Sequence, residues 1–189
     1  MKQIVCLALL MIVPMLSVDA RVSATDDEAA RKVFEETYNK VFGPEGCTLT
    51  YDVNLIGLYK TSGTIWYKDK ARKSKFVDAR GTSWNDGQTV YMVNEKKKVI
   101  DIYASDSKEM TKYTSKFKFS FDDFDYSMKE SNGKLLLTLK QKKGAKGTVK
   151  EAQIVLDAKT LAPLLARIKV MLFWANIKIS NFKAGDISD

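Results

Sequence analysis

The side chains that do most enzymatic work at neutral pH are scarce in this chain of 189 residues, which holds no histidine and two cysteines. Without imidazole there is no histidine general base and no histidine-containing metal site. Cys47 has no histidine to activate it, and Cys6 lies early in an apolar N-terminal run. Asp122, Asp123 and Asp125 form an acidic cluster whose carboxylates suit a hard cation. No EF-hand glycine or closing glutamate follows them, so a solvated loop is the plainer reading. Nothing points to a paired-carboxylate site of the glycosidase kind. The expectation is a protein that is not an enzyme and uses no cofactor or metal.

Charge offers a different chemistry. The full chain carries a net charge of +8. Its basic residues gather at or beside turns: Lys68, Lys70, Arg72, Lys73 and Lys75, then Lys96 to Lys98, then Lys140, Lys142, Lys143 and Lys146. Solvation of turns accounts for such clusters, and steering toward acidic partners or anionic leaflets is the sharper alternative.

The N-terminus reads as an export signal. Met1-Lys2-Gln3 is a short basic start, residues 4–16 are apolar, and Val18-Asp19-Ala20 and Val22-Ser23-Ala24 are small-residue cleavage patterns. Cleavage is expected after Ala20 or Ala24. The apolar run is shorter than the roughly 20 residues that span a bilayer as a helix. Export makes nucleic acid an unfavoured partner, and with Cys47 alone remaining no internal disulfide is expected. Residues 25–189 then form one domain, expected as a soluble monomer.

The elements follow from spacing. Thr25-Asp26-Asp27-Glu28 fits a capping box, and Ala30, Val33, Phe34, Tyr38 and Val41 recur at helical intervals until Gly43-Pro44, where a left-handed Gly43 cap and the proline are expected to stop the helix. Cys47, Leu49, Tyr51, Val53 and Leu55 alternate with polar residues, the mark of a half-buried strand. Further strands are expected at 64–68, 73–80, 88–93, 99–103, 134–141 and 151–156, with a last long one over 166–175 continuing past a bend to 183. Ser62-Gly63 and Asp157-Ala158-Lys159-Thr160 mark turns, and Asp86-Gly87 and Asn132-Gly133 are tight-turn signals. Residues 105–116 are polar and fit one or two helical turns. Phe117, Phe119 and Phe121 then alternate with polar residues. The sum is one helix, a lid-like middle and about nine to eleven antiparallel strands, an α+β domain.

These motifs, in this order, resemble the LolA-type periplasmic lipoprotein carriers over most of the chain. The likeness rests on Thr48-Leu49-Thr50-Tyr51, Gly63-Thr64-Ile65-Trp66-Tyr67-Lys68, Asp86-Gly87-Gln88-Thr89-Val90-Tyr91, Asp157 to Leu164 and Ile179-Ser180-Asn181-Phe182-Lys183. The resemblance implies an open antiparallel half-barrel with an N-terminal amphipathic helix and a short helical or loop lid. It also implies a periplasmic protein that binds acylated lipoproteins or lipids, receives them from an inner-membrane donor complex and passes them to an outer-membrane acceptor. The alternatives are an envelope lipid-binding or sensing domain, LolB-like or sigma-regulator-like, or a structural envelope protein without a ligand. Two departures stand out. The family's Arg-Pro after the Trp strand is replaced by Lys68-Asp69-Lys70-Ala71-Arg72, and the family's further Phe-rich strand does not follow before Asp189.

The candidate acyl-binding residues are Val33, Phe34, Tyr38, Leu49, Tyr51, Val53, Trp66, Tyr91, Val93, Leu137, Leu139, Ile168, Val170, Leu172 and Trp174. The lid or rim candidates are Lys70, Arg72, Phe117, Phe119 and Phe121. For each apolar residue, ordinary core packing is the competing reading.

Overall fold

The computed structural model describes residues 27–55, 59–68, 73–110, 120–170, 172–185 and 187. The expected export segment, Thr25, Lys70, Arg72, Phe117 and Phe119 lie outside the described residues. Helix α1 (Asp27–Phe42) is followed by β1 (Cys47–Leu55), β2 (Tyr59–Lys68), β3 (Lys73–Asp78), β4 (Gly81–Asp86), β5 (Thr89–Asn94) and β6 (Val99–Ala104). A helical turn begins at residue 108, and a 3-10 turn, Phe121–Asp123, leads into β7 (Phe124–Ser131). Strands β8 (Lys134–Gln141), β9 (Val149–Asp157), β10 (Pro163–Val170) and β11 (Phe173–Ala184) complete the chain.

All eleven strands form one antiparallel sheet in the order β6-β5-β4-β3-β2-β1-β11-β10-β9-β8-β7. Each neighbouring pair is a chain-consecutive hairpin, except β1 with β11, which joins the two ends of the described chain. The two edges, β6 and β7, are therefore consecutive in sequence, and residues 105–123 connect them. The result is an open sheet, in keeping with the expected half-barrel.

Local chemistry sets the hairpins. Asn132 (φ 50°) and Gly133 (φ 70°) both occupy the left-handed region, as a two-residue type I′ turn requires. At the β4–β5 turn one Asp86 oxygen accepts hydrogen bonds from the amides of Gln88 and Thr89 at 2.8 and 2.7 Å. At the β9–β10 turn Asp157 accepts from the amides of Lys159 and Thr160 and from the Thr160 hydroxyl. These turn amides hold both carboxyls below the ordinary aspartate value of 3.8. A pKa lowered in the folded state means stability that is present above that value and lost as pH falls through the folded pKa. Acid unfolding followed by circular dichroism should therefore steepen below the ordinary value, and Asp157→Ala should flatten part of that slope. An unchanged slope would contradict this role.

Gly63 sits inside β2, where sequence spacing predicts a turn at Ser62-Gly63. It lies opposite Tyr51 in the register, and a Cβ there would stand 2.3 Å from the Val77 carbonyl oxygen and 2.7 Å from the Tyr51 hydroxyl. The glycine makes room for the buried Tyr51 ring, so the strand runs through it. Gly63→Ala should lower stability by about 1–3 kcal/mol, as overpacking does, measured by urea unfolding.

Other expectations are corrected. The apolar run 166–175 is not one strand: β10 ends at Val170 and β11 starts at Phe173, because the run folds as a hairpin. Its tip leaves Leu172 85 % and Phe173 56 % exposed. Residues 81–86 and 124–131 form strands that sequence spacing leaves unassigned. The left-handed glycine after α1 is Gly46 (φ 73°), not Gly43.

Two buried clusters make the core. One joins Ala30 and Phe34 of α1 to Phe124, Tyr126, Leu135, Leu137, Leu139, Ala152, Ile154, Leu156 and Ala166. The other joins Cys47, Leu49, Tyr51, Val53 and Ile65 to Ala175, Ile177 and Ile179.

Candidate functional site

Alternation along the strands places both clusters on one face of the sheet, the face that carries α1. The register shows how continuous it is. Met128, Leu137, Ile154, Ala166, Ile177 and Val53 stand in one row across β7, β8, β9, β10, β11 and β1. Tyr126, Leu139, Ala152, Ile168, Ala175 and Leu55 form the adjacent row across the same strands. Beyond β1 the character changes. Leu49 is followed by Ile65, Phe76, Ser83, Met92 and Asp101, and Cys47 by Tyr67, Ser74, Asn85, Val90 and Tyr103. The face is apolar from β7 to β2 and mixed from β3 to β6.

Helix α1 covers the first part. Its N-terminus is tied to β7, where the Asp27 carboxylate accepts a hydrogen bond from the Tyr126 amide. Its C-terminus reaches β2, where the Phe42 and Tyr67 rings meet edge-on with centroids 5.6 Å apart. Sixteen residues at about 1.5 Å each span about 24 Å, which matches about five strand spacings. An aromatic file runs beneath the helix. Phe34 contacts Tyr126 at 5.6 Å and Phe121 at 5.7 Å, Tyr38 contacts Phe121 at 5.2 Å, and Tyr38 contacts Phe42 at 4.8 Å. The Tyr126 hydroxyl donates to the Phe121 carbonyl at 2.8 Å. Burial raises the pKa of both Tyr126 and Tyr38, so both stay neutral phenols. Arg31 pairs with Asp122 and Glu35, each at 2.8 Å, and Lys40 donates to the Thr160 carbonyl at 2.8 Å. Asp122 thus anchors the 3-10 turn to the helix.

The face holds little reactive chemistry. Among the described residues no group of three His, Cys, Asp or Glu side chains could hold a metal ion. Cys47 is buried and its thiol is pushed up to about 11 by desolvation. It is therefore a thiol, not a thiolate, at neutral pH. In a chain carrying Cys6→Ser, folded protein should react with a disulfide reagent at least about tenfold more slowly than urea-unfolded protein, and equal rates would contradict the burial.

The expected site residues divide between the two faces. Val33, Phe34, Tyr38, Leu49, Tyr51, Val53, Leu137, Leu139 and Ile168 lie on the helix face or in α1. Trp66, Tyr91, Val93 and Trp174 lie on the outer face. There Arg167 and Lys169 flank the Trp174 ring, the Arg167 guanidinium 4.4 Å from its centroid. Leu172 is at the exposed hairpin tip, and of Val170 only the backbone is described. Phe121 lies under α1 in the 3-10 turn and not on a strand lip. Sequence spacing misses Phe42, Tyr67, Phe76, Val90 and Met92 on the helix face. In β5 the run Val90-Tyr91-Met92-Val93 is apolar on both faces, so alternation gives no choice between them. The one available signal was register: Val90 and Met92 stand in the rows of Cys47 and Leu49.

No family model matches the chain, and no curated protein is significantly similar to it in sequence. Among solved structures, an uncharacterized conserved protein from Thermus thermophilus is similar in fold, with a TM-score of 0.54 and 10 % identity, over 85 % of this chain and 90 % of that one. A domain named for outer membrane lipoprotein sorting from Vibrio parahaemolyticus matches with a TM-score of 0.43 and 10 % identity, over 84 % and 93 % of the two chains. A LolA superfamily protein from Nitrosomonas europaea matches with a TM-score of 0.36 and 8 % identity, over 84 % and 94 %. LolA-superfamily and lipoprotein-sorting structures are thus among those similar to this chain. The Thermus likeness is close enough to speak for a shared fold.

Proposed function

We propose that this chain is a periplasmic carrier that holds the acyl chains of lipoproteins or lipids on the helix face of its sheet. The observation that carries the reading is the apolar continuity of that face. It runs across seven strands from β7 to β2, and among the described residues α1 shields it. Three long acyl chains in water cost on the order of 30 kcal/mol at about 0.8 kcal/mol per CH₂, so a carrier needs a broad oily surface more than it needs reactive groups. The motif resemblance to the LolA-type carriers supports the same reading. On this proposal residues 1–24 are a removable export signal and residues 25–189 the carrier domain, with an inner-membrane donor and an outer-membrane acceptor as partners. Among the described residues no helix is long and apolar enough to cross a membrane.

Loading requires α1 to shift. Leu137, Leu139, Leu49 and Tyr51 are at most 2 % exposed beneath it and among their neighbours. Ring contacts at Phe42–Tyr67 and exposed ion pairs on the solvent side of the helix are modest ties, which favours a cover that can part from the sheet. Isolation of the protein from its native envelope, followed by mass spectrometry of co-purified molecules, tests the proposal. Recovery of acylated lipoprotein or lipid is expected. Recovery of the bare chain under conditions that retain lipid on a known carrier would refute it.

The tight closure of α1 over the β7–β10 half favours a second reading, a sensing or structural envelope domain whose core stays shut. It predicts saturable partner binding with no uptake of acyl probes.

A further inference from the structure

We propose that the outer face of β2–β6 is a docking surface for an anionic lipid bilayer. This proposal stands apart from the carrier reading, since it concerns the opposite side of the sheet. The register sets Trp66, Lys75, Trp84, Tyr91 and Ile102 in one row across five strands. Lys75 Nζ lies between the two indoles, 5.1 Å from the Trp66 centroid and 5.7 Å from that of Trp84. The next row carries Val93 and Ile100. Trp84 is 40 %, Ile100 58 % and Ile102 62 % exposed. Large aliphatic side chains bared on an edge strand invite cover, and a cluster of them marks a contact surface.

Charge identifies the partner. Alternation puts Lys60, Lys73 and Lys75 on this face against Asp86, whose oxygen is engaged by the turn amides, and also Lys68, whose ammonium donates to the Ile187 carbonyl at 3.4 Å. The adjoining β5–β6 loop adds Lys96, Lys97 and Lys98 against Glu95. An apolar centre, indole and phenol rings beside it and a surrounding surplus of lysine match the layering of a membrane interface. Trp and Tyr favour the headgroup level, lysine stems lie along apolar surface with their ammonium groups outward, and each lysine gains from an anionic leaflet. Single-stranded nucleic acid would also use cations and rings. It has no use for two bared isoleucines, whereas the acyl boundary does.

The test reads Trp84 alone, and because the N-terminal run is the same in every variant, the differences between variants report contact by this face. In the full chain carrying Trp66→Phe and Trp174→Phe, Trp84 fluorescence is titrated with vesicles of brominated phosphatidylglycerol and phosphatidylethanolamine, and with brominated phosphatidylcholine vesicles. Quenching is expected with the anionic vesicles, weakened by salt and small with the neutral ones. Lys75→Gln should weaken the apparent affinity about fivefold, and Ile100→Glu with Ile102→Glu by about tenfold or more. Thermal unfolding within a few degrees of the parent shows that these exposed substitutions keep the fold. Absence of quenching, equal quenching by neutral vesicles, indifference to both variants, or displacement by a single-stranded oligonucleotide would each overturn the proposal.

Discussion

Phe34→Ala is expected to remove about 3–5 kcal/mol of stability, the usual range for truncating a buried aromatic, and Leu137→Ala about 2–5 kcal/mol. Phe34 is where three parts of the chain meet: α1, the 3-10 turn through Phe121, and edge strand β7 through Tyr126. Removing its ring leaves a hole beneath the helix and breaks two of the aromatic contacts that hold α1 down. Against the 5–15 kcal/mol of an ordinary domain, either change leaves little margin. Urea unfolding followed by tryptophan fluorescence measures it. A loss below about 1 kcal/mol for Phe34→Ala would mean that α1 contributes little to the fold. Outer-face Ile102→Ala, at a side chain mostly in solvent, should stay within about 0.5 kcal/mol.

The second large effect concerns ligand affinity. Met92→Asp puts a carboxylate on the helix face, at a half-buried position in the Leu49 row beyond the reach of α1. An ionised group against a hydrocarbon chain loses hydration without gaining a partner, so affinity for a fluorescent fatty acid should fall about 100-fold. Ile102→Asp, one strand away on the other face, should leave it unchanged. Titration of the probe into each variant, with unfolding curves as the check on folding, separates the two. Equal losses would place the binding surface elsewhere.

How far the sequence foretold this molecule depends on the element. The alternation in β1 and the helical spacing of Ala30, Phe34 and Tyr38 were legible, because each of those elements has one polar and one apolar side. So were the Asn132-Gly133 and Asp157 turns, whose conformations demand those residue types. Strands with two apolar faces were not legible in the same way. Trp66 and Ile65, or Tyr91 and Val90, look equally suited to the core, and only pairing with neighbours assigns them. The β10–β11 hairpin was hidden for a related reason: its tip, Leu172-Phe173, is as apolar as the strands it joins, so no polar punctuation marks the turn. Gly63 misled in the opposite sense, its role being space for Tyr51 and not a bend.

Cross-linking with a photoreactive fatty acid, mapped by peptide mass spectrometry, puts the helix face to the most direct trial. The account predicts labels on Phe42, Tyr67, Phe76 and Met92 that a triacylated lipopeptide competes away. Labels confined to the outer face around Trp84, or none that the lipopeptide displaces, would contradict it.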